Sequence, residues 1–408
     1  MLTRTAAAAI TAITAITATA PAAQAYADTV RDGQQWVLGM MDVAPAWQET
    51  QGQGVLVAVI DSGVIGTVSD LSGQVMQGPD LSGVFTSASN PNWGVHGTWM
   101  ASLIAGHGHQ PGGTPGAGDD GVIGIAPGAR VLAIRVILDK GDPRYHAYEH
   151  QQEDKIQRLL SQGIDEAVAD GAQVISMSIG YTAPSTVVRA ALLNAQRHGV
   201  VVVASAGNSG SSTAGAGGGG EAPDSFPAEY PGVIGVGAVN ASGNVAGFSS
   251  DNLSVQVAAP GVNVPAQGRD GQYWYVSGTS PACALVAGVA ALIRSRYPRL
   301  RADLVARALT TTTTHRPASG YDSAVGFGIV DAAAALSAAS RLAAQGDSLP
   351  KGIGPAGYFG GGPAANPAPP VAPRGDDQLI LFSVLALTCL VLTFAAVSRL
   401  AVLRKGKP

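Results

Sequence analysis

The sequence predicts an α/β protein: a doubly wound, mostly parallel sheet with helices on both faces, followed by one C-terminal transmembrane helix. Three observations predict it. Short β-branched runs bounded by glycines recur along the chain, helical patterns lie between several of them, and an uncharged apolar stretch stands near the C-terminal end. Continuous apolar runs of that length suit strands covered on both faces. Their alternation with helices calls for parallel crossovers.

Residues 1–27 carry one arginine, Arg4, then an Ala/Ile/Thr run, and close on Ala23-Gln24-Ala25 and Ala25-Tyr26-Ala27. This is the pattern of a secretory signal peptide cleaved after Ala25 or Ala27. Residues 28–53 form an N-terminal extension, and residues 54–345 the body. In the body the predicted strands are Val55–Ile60, Val131–Leu138, Val174–Ile179, Val200–Ala204 and Val233–Val239. Lys155–Asp170 and Thr186–His198 have helical patterns, and Gly199 is placed to end the second. Residues 346–377 form a linker whose Gly, Pro and Ala cannot bury enough surface to fold. Gln378–Ser398 is uncharged and, at about 20 residues, long enough to span the hydrocarbon core. Asp376 and Asp377 precede it and the basic residues of 399–408 follow it, so the tail is expected in the cytoplasm and the body outside.

Composition limits the function classes. The chain has 408 residues, 46% of them hydrophobic, room for one large domain of roughly 300 residues plus appendages. Its formal charge of -4 shows no basic excess of the kind that tracks a phosphate backbone, which argues against nucleic acid as a partner. Of the two cysteines, Cys389 lies inside the apolar stretch, so no disulfide with Cys283 is expected. The segment from His107 to Asp120 contains Asp119 and Asp120, but its ligand spacing is poor and it reads as a solvated loop. No metal or cofactor is called for.

Ligands and catalytic groups of such sheets gather beyond the carboxyl ends of the strands. Asp61 follows the first run, with Gly63 free to turn the chain. Alone, it could be a cap or a metal ligand. His96-Gly97-Thr98 opens a helical run, and the small residue beside the imidazole would let neighbouring elements pack closely. A lone histidine is more often an ordinary satisfied side chain. Gly278-Thr279-Ser280-Pro281 precedes the apolar helix Ala282–Arg294, with Pro281 suited to a first turn that needs no donor. There a serine is either a plain N-cap or a nucleophile with free N–H groups and the positive helix end beside it. Asn208 follows the fourth run in Ser205-Ala206-Gly207-Asn208, where it is either part of a turn or an oxyanion donor. Taken together, the order Asp, His, Asn, Ser is that of the subtilisin triad and differs from the chymotrypsin and hydrolase orders. In this assignment Ser280 attacks the scissile carbonyl, His96 takes and returns the proton, Asp61 holds the imidazole, and Asn208 binds the oxyanion.

The chain resembles the subtilisin family from Gly54 to Leu336, through VAVIDSGV, HGTWMASLIAG, GIAPGARVLAIRV, VISMSIG, VVVASAGN, FPAEYPGVIGVGA, VAAPG, GTSPA and GFGIVDAAAAL. The resemblance implies a subtilisin-like fold. It also implies that Ser178-Ile179-Gly180 pairs with the substrate backbone and that Ala206-Gly207 belongs to the specificity pocket. Pro281 stands where the family usually has Met or Phe, and Ala284 where it usually has Pro. A narrower resemblance is to the mycosins, membrane-anchored subtilisins of actinobacterial type VII secretion systems, on the signal peptide, the proline-rich linker and the C-terminal helix with its basic tail. Gln35-Trp36-Val37-Leu38 and Ala46-Trp47 resemble the short mycosin extension, which packs on the enzyme and does not form a separate inhibitory prodomain. The chain lacks the loop disulfide cysteines of many mycosins. The implied partners are protein or peptide substrates, the lipid bilayer and a secretion-system membrane complex. Two other functions fit the same sequence: a structural component of such a complex, with proteolysis secondary or absent, and a general cell-surface protease.

Overall fold

The computed structural model describes residues 22–84, 89–108, 121–145, 153–210, 222 and 224–345. The predicted linker, the apolar stretch 378–398, the residues after it, Cys389, residues 109–120 of the glycine-rich loop and nearly all of the predicted signal peptide lie outside the described residues.

Seven parallel strands form the central sheet: β1 (Leu56–Asp61), β2 (Val75–Asp80), β3 (Arg130–Arg135), β4 (Val174–Met177), β5 (Val201–Ser205), β6 (Val233–Val239) and β7 (Val255–Pro260), in the order β2-β3-β1-β4-β5-β6-β7. All five predicted runs are strands of this sheet. β2 and β7 were not predicted, because Gly78 and Pro79 break up the first and polar Gln256 and terminal Pro260 the second. A two-stranded antiparallel hairpin, β8 (Val264–Gln267) and β9 (Tyr273–Val276), stands apart from it.

Both faces of the sheet are covered, which is why its strands read as unbroken apolar runs. In β1, Val57 and Val59 point into one core and Ala58 and Ile60 into the other. The second core is closed by α4 (Glu153–Ala169) and α5 (Thr186–Arg197), both predicted as helices. The first is closed by α3 (Val95–Ala105), α6 (Thr279–Arg296), α7 (Ala302–Thr311) and α8 (Ala332–Ala344), together with the N-terminal helices α1 (Ala22–Met40) and α2 (Val43–Trp47). From Pro281 to Arg294 every residue of α6 is buried, as expected of a helix apolar all round that runs behind a sheet. Among the described residues no helix is long and apolar enough to cross a membrane.

Candidate active site

Three elements converge on one cleft of about 950 Å³ whose lining includes His96, Ser178, Ile179, Gly180, Gly207, Asn208 and Ser280. Asp61 is the last residue of β1 and is 1% exposed. It accepts the backbone N–H of Ser62 at 2.7 Å and lies 2.8 and 3.0 Å, through Oδ1 and Oδ2, from His96 Nδ1. A carboxylate can only accept, so Nδ1 carries the proton and Nε2 keeps its lone pair. The chain after Asp61 is braced from β3. Buried Arg135 donates to Ser62 O at 3.1 Å, pairs with Asp80 at 2.7 Å, and lies over the Trp93 ring.

His96 sits in the first turn of α3, where its side chain is 29% exposed. Burial works to lower the imidazole pKa. The charge and hydrogen bond of Asp61, joined by the charge of Asp139, outweigh it and hold the imidazole above its ordinary value of 6.5. Trp99, one turn on, meets the His96 ring edge-on at 6.2 Å and the half-exposed Trp274 of the hairpin at 5.9 Å.

Ser280 is in the first turn of α6, whose N-cap, Gly278, has no capping side chain. Helix N–H groups at such an end lack intrahelical partners and carry the positive end of the dipole. Ser178 Oγ donates to Ser280 O at 3.3 Å. Asn208 Oδ1 accepts from Thr279 N at 2.8 Å and from Thr279 Oγ1 at 2.9 Å. With its oxygen committed, the amide presents its N–H₂ as the remaining hydrogen-bonding group. Thr279 was not singled out in the sequence, because nothing local signals a contact across 71 residues.

Ser178, Ile179 and Gly180 run past the end of β4, two residues earlier than the predicted strand end, along the cleft wall. Ala206 is buried, its N–H on Val236 O, and Gly207 O accepts from Ser250 N. Pro281 and Ala284 are both accommodated within a continuous α6. Cys283 is a buried free thiol, and burial pushes it up to about 12. His107, at the head of the glycine-rich loop, is buried with Nε2 3.0 Å from Ser72 O. Among the described residues no cluster of His, Cys, Asp and Glu could hold a metal.

This arrangement has the chemistry of acyl transfer: a base oriented by a buried carboxylate, a serine at a helix N-terminus, and an amide donor beside it. Comparisons with known proteins agree. The sequence profile of the subtilase family, Peptidase_S8, matches residues 52–328. Fervidolysin of Fervidobacterium pennivorans is 34% identical over 315 residues, which cover 71% of this chain and 42% of that protein, so the chain spans less than half the length of this relative. Mycosin-3 of Mycobacterium tuberculosis is 32% identical over 340 residues, covering 73% of this chain and 70% of that protein. The crystal structure of MycP1 from the ESX-1 type VII secretion system superposes with a TM-score of 0.60 at 30% identity, covering 74% of this chain and 85% of that one. The chain belongs to the subtilase family of serine endopeptidases and is related to the mycosins.

Proposed function

We propose that this chain is an extracytoplasmic serine endopeptidase, held at a membrane by residues 378–398, that processes exported proteins. The observation that carries the proposal is the Asp61–His96 pair opening onto the same cleft as Ser280. Ser280 Oγ attacks the scissile carbonyl while His96 Nε2 takes its proton and then returns it to the leaving amine. Asp61 stabilises the imidazolium that forms between those events. The oxyanion is bound by Asn208 Nδ2 and the Ser280 N–H. Substrate backbone lies along Ser178-Ile179-Gly180, and the side chain before the scissile bond enters the pocket beside Gly207; Ala206, fully buried, stands behind that wall and not in it.

Placement outside the cytoplasm rests on the signal-like residues 1–27 and on the basic flank after residue 398. A role in type VII secretion rests on the likeness to Mycosin-3 and to MycP1, which is described as from such a system. One solved MycP1 is also described as an essential component of its secretion system, which supports a second, structural role for this chain.

The first test is covalent labelling with a fluorophosphonate probe. The chain should be modified at Ser280, and Ser280→Ala and His96→Ala should each abolish labelling. A folded protein that does not label would overturn the catalytic proposal. Secretion restored by Ser280→Ala would favour the structural role, and failure despite normal assembly would favour catalysis.

A further inference from the structure

We propose that Asp139 is the positioning residue of His96: its carboxylate caps the helix that carries the imidazole and sets where that ring stands in the cleft. The inference rests on the assignment of His96 as general base, but its geometry stands independently. A helix begins with N–H groups that have no intrahelical partner, and buried ones must be satisfied from elsewhere. The N-cap of α3 is Gly94, in the left-handed region at φ 69, with no side chain to do so. The partners come from other segments. Val95 N donates to Asp139 Oδ2 at 3.0 Å, His96 N to Asp139 Oδ1 at 2.8 Å, and Gly97 N to Ser62 Oγ at 3.1 Å. Both oxygens of one carboxylate, more than 40 residues away in the chain, thus grip the backbone of His96 and of its neighbour.

Asp139 follows β3 and is itself part of the cleft wall, 8% exposed. A negative charge at a helix N-terminus is favourable, although burial outweighs the bonds from the His96 and Val95 N–H groups and holds the Asp139 carboxyl above its ordinary range. Here it also faces the imidazole. Among the described residues, the charged groups that bear on His96 are Asp61 at the end of β1, and Asp139 and Lys140 on the segment after β3; Ser280 of α6 and Trp99 on its own helix are neutral. Asp139 and Asp61 favour the imidazolium, whereas Lys140 opposes it. Two consequences follow: the carboxylate fixes the ring's height above the nucleophile, and its charge tunes the pH at which the ring becomes a base. A reacting group displaced by about 1 Å loses on the order of 10²-fold in rate, so a loosened first turn of α3 is enough to silence a site whose triad is complete.

The test uses the full chain in detergent, with Asp139→Asn and Asp139→Ala. Asparagine keeps one acceptor and the shape but removes the charge; alanine removes both acceptors. The His96 titration is followed by NMR of histidine-labelled protein, and the Ser280 labelling rate is followed against pH. In Asp139→Asn the His96 midpoint and the acid limb of labelling should both move to lower pH. In Asp139→Ala the maximal rate should fall by about 10²-fold, with substrate KM changed by less than about threefold. A folded Asp139→Asn whose midpoint and rate profile both match the parent overturns the proposal, whether or not the alanine variant folds. If the parent chain does not label at all while the midpoint still shifts, the positioning role stands and the catalytic assignment fails.

Discussion

At Asn208 the side-chain carbonyl is held twice by Thr279, and this decides which way the amide faces. Asn208→Ala should therefore lower kcat by about 10²–10³-fold with KM nearly unchanged, the loss known when subtilisin is deprived of its side-chain oxyanion donor. Thr279→Val keeps the backbone donor and should cost far less; an equal loss would mean that Thr279 acts on Ser280 and not through the amide. His96 gives a pH prediction with a definite sign. Catalysis needs the neutral ring, and the folded protein favours the charged one, so the acid limb of kcat/KM should lie above pH 6.5. The same shift stabilises the fold fully below pH 6.5, and that stabilisation is lost as pH rises through the folded-state value. For this group the pH of greatest activity is not the pH of greatest stability. Cys283, three residues from the proposed nucleophile, should resist alkylation in the native protein because burial keeps it a thiol.

Among the elements, the contact between α3 and the end of β1 admits little change. A Cβ at Gly97 would stand 2.1 Å from Gly63 O and 3.3 Å from Asp61 Cβ. Gly97→Ala must push α3 off the strand that carries Asp61. Overpacking of this kind costs about 1–3 kcal/mol, and labelling of Ser280 should be lost even where the protein still folds. Unchanged melting and unchanged labelling would show that α3 is not seated as described. This contact was legible in the sequence, where a small residue beside the imidazole already called for close packing. So were the strands buried on both faces, because burial writes a continuous β-branched run. β2, with Gly78 and Pro79 inside it, and the hairpin β8–β9, with exposed Trp274 and Tyr275, carry no such run. The capping of α3 by Asp139 was hidden for a different reason. Local pattern reports a cap only when the capping side chain adjoins its helix, and here the partner arrives from after another strand.

At the scale of the whole molecule, the N-terminal extension is built into the body. Val30, Val37 and Met41 are buried in the first core. Gln34, fully buried, exchanges both its amide bonds with Ile123: Nε2 to its carbonyl at 2.5 Å and its N–H to Oε1 at 3.1 Å. Arg31 donates to Gly121 O, Trp47 Nε1 to Ile125 O, and Met41 O accepts from Ala332 N at the start of α8. Cleavage at the proposed positions, after Ala25 or Ala27, would spare every one of these contacts. A chain that starts at Asp28 should therefore be as stable as the parent, and one that starts at Asp42 should not. The shorter chain lacks the three apolar side chains whose burial is worth about 1.5–3 kcal/mol each, uncovers the core surface they packed on, and leaves the Ile123 peptide groups to water. At roughly 2 °C per kcal/mol for a domain of this size, its melting temperature should fall by about 10 °C or more. The labelling rate of Ser280 separates this structural role from inhibition. A strap that only stabilises leaves the rate per folded molecule unchanged when it is removed, whereas an inhibitory segment lying across the cleft would raise it. The hydrogen bonds from Arg31 to Gly121, from Gln34 to Ile123 and from Trp47 to Ile125 fall on residues that do not line the cleft, and although Gly33 packs beside Tyr275, which does, no increase is predicted.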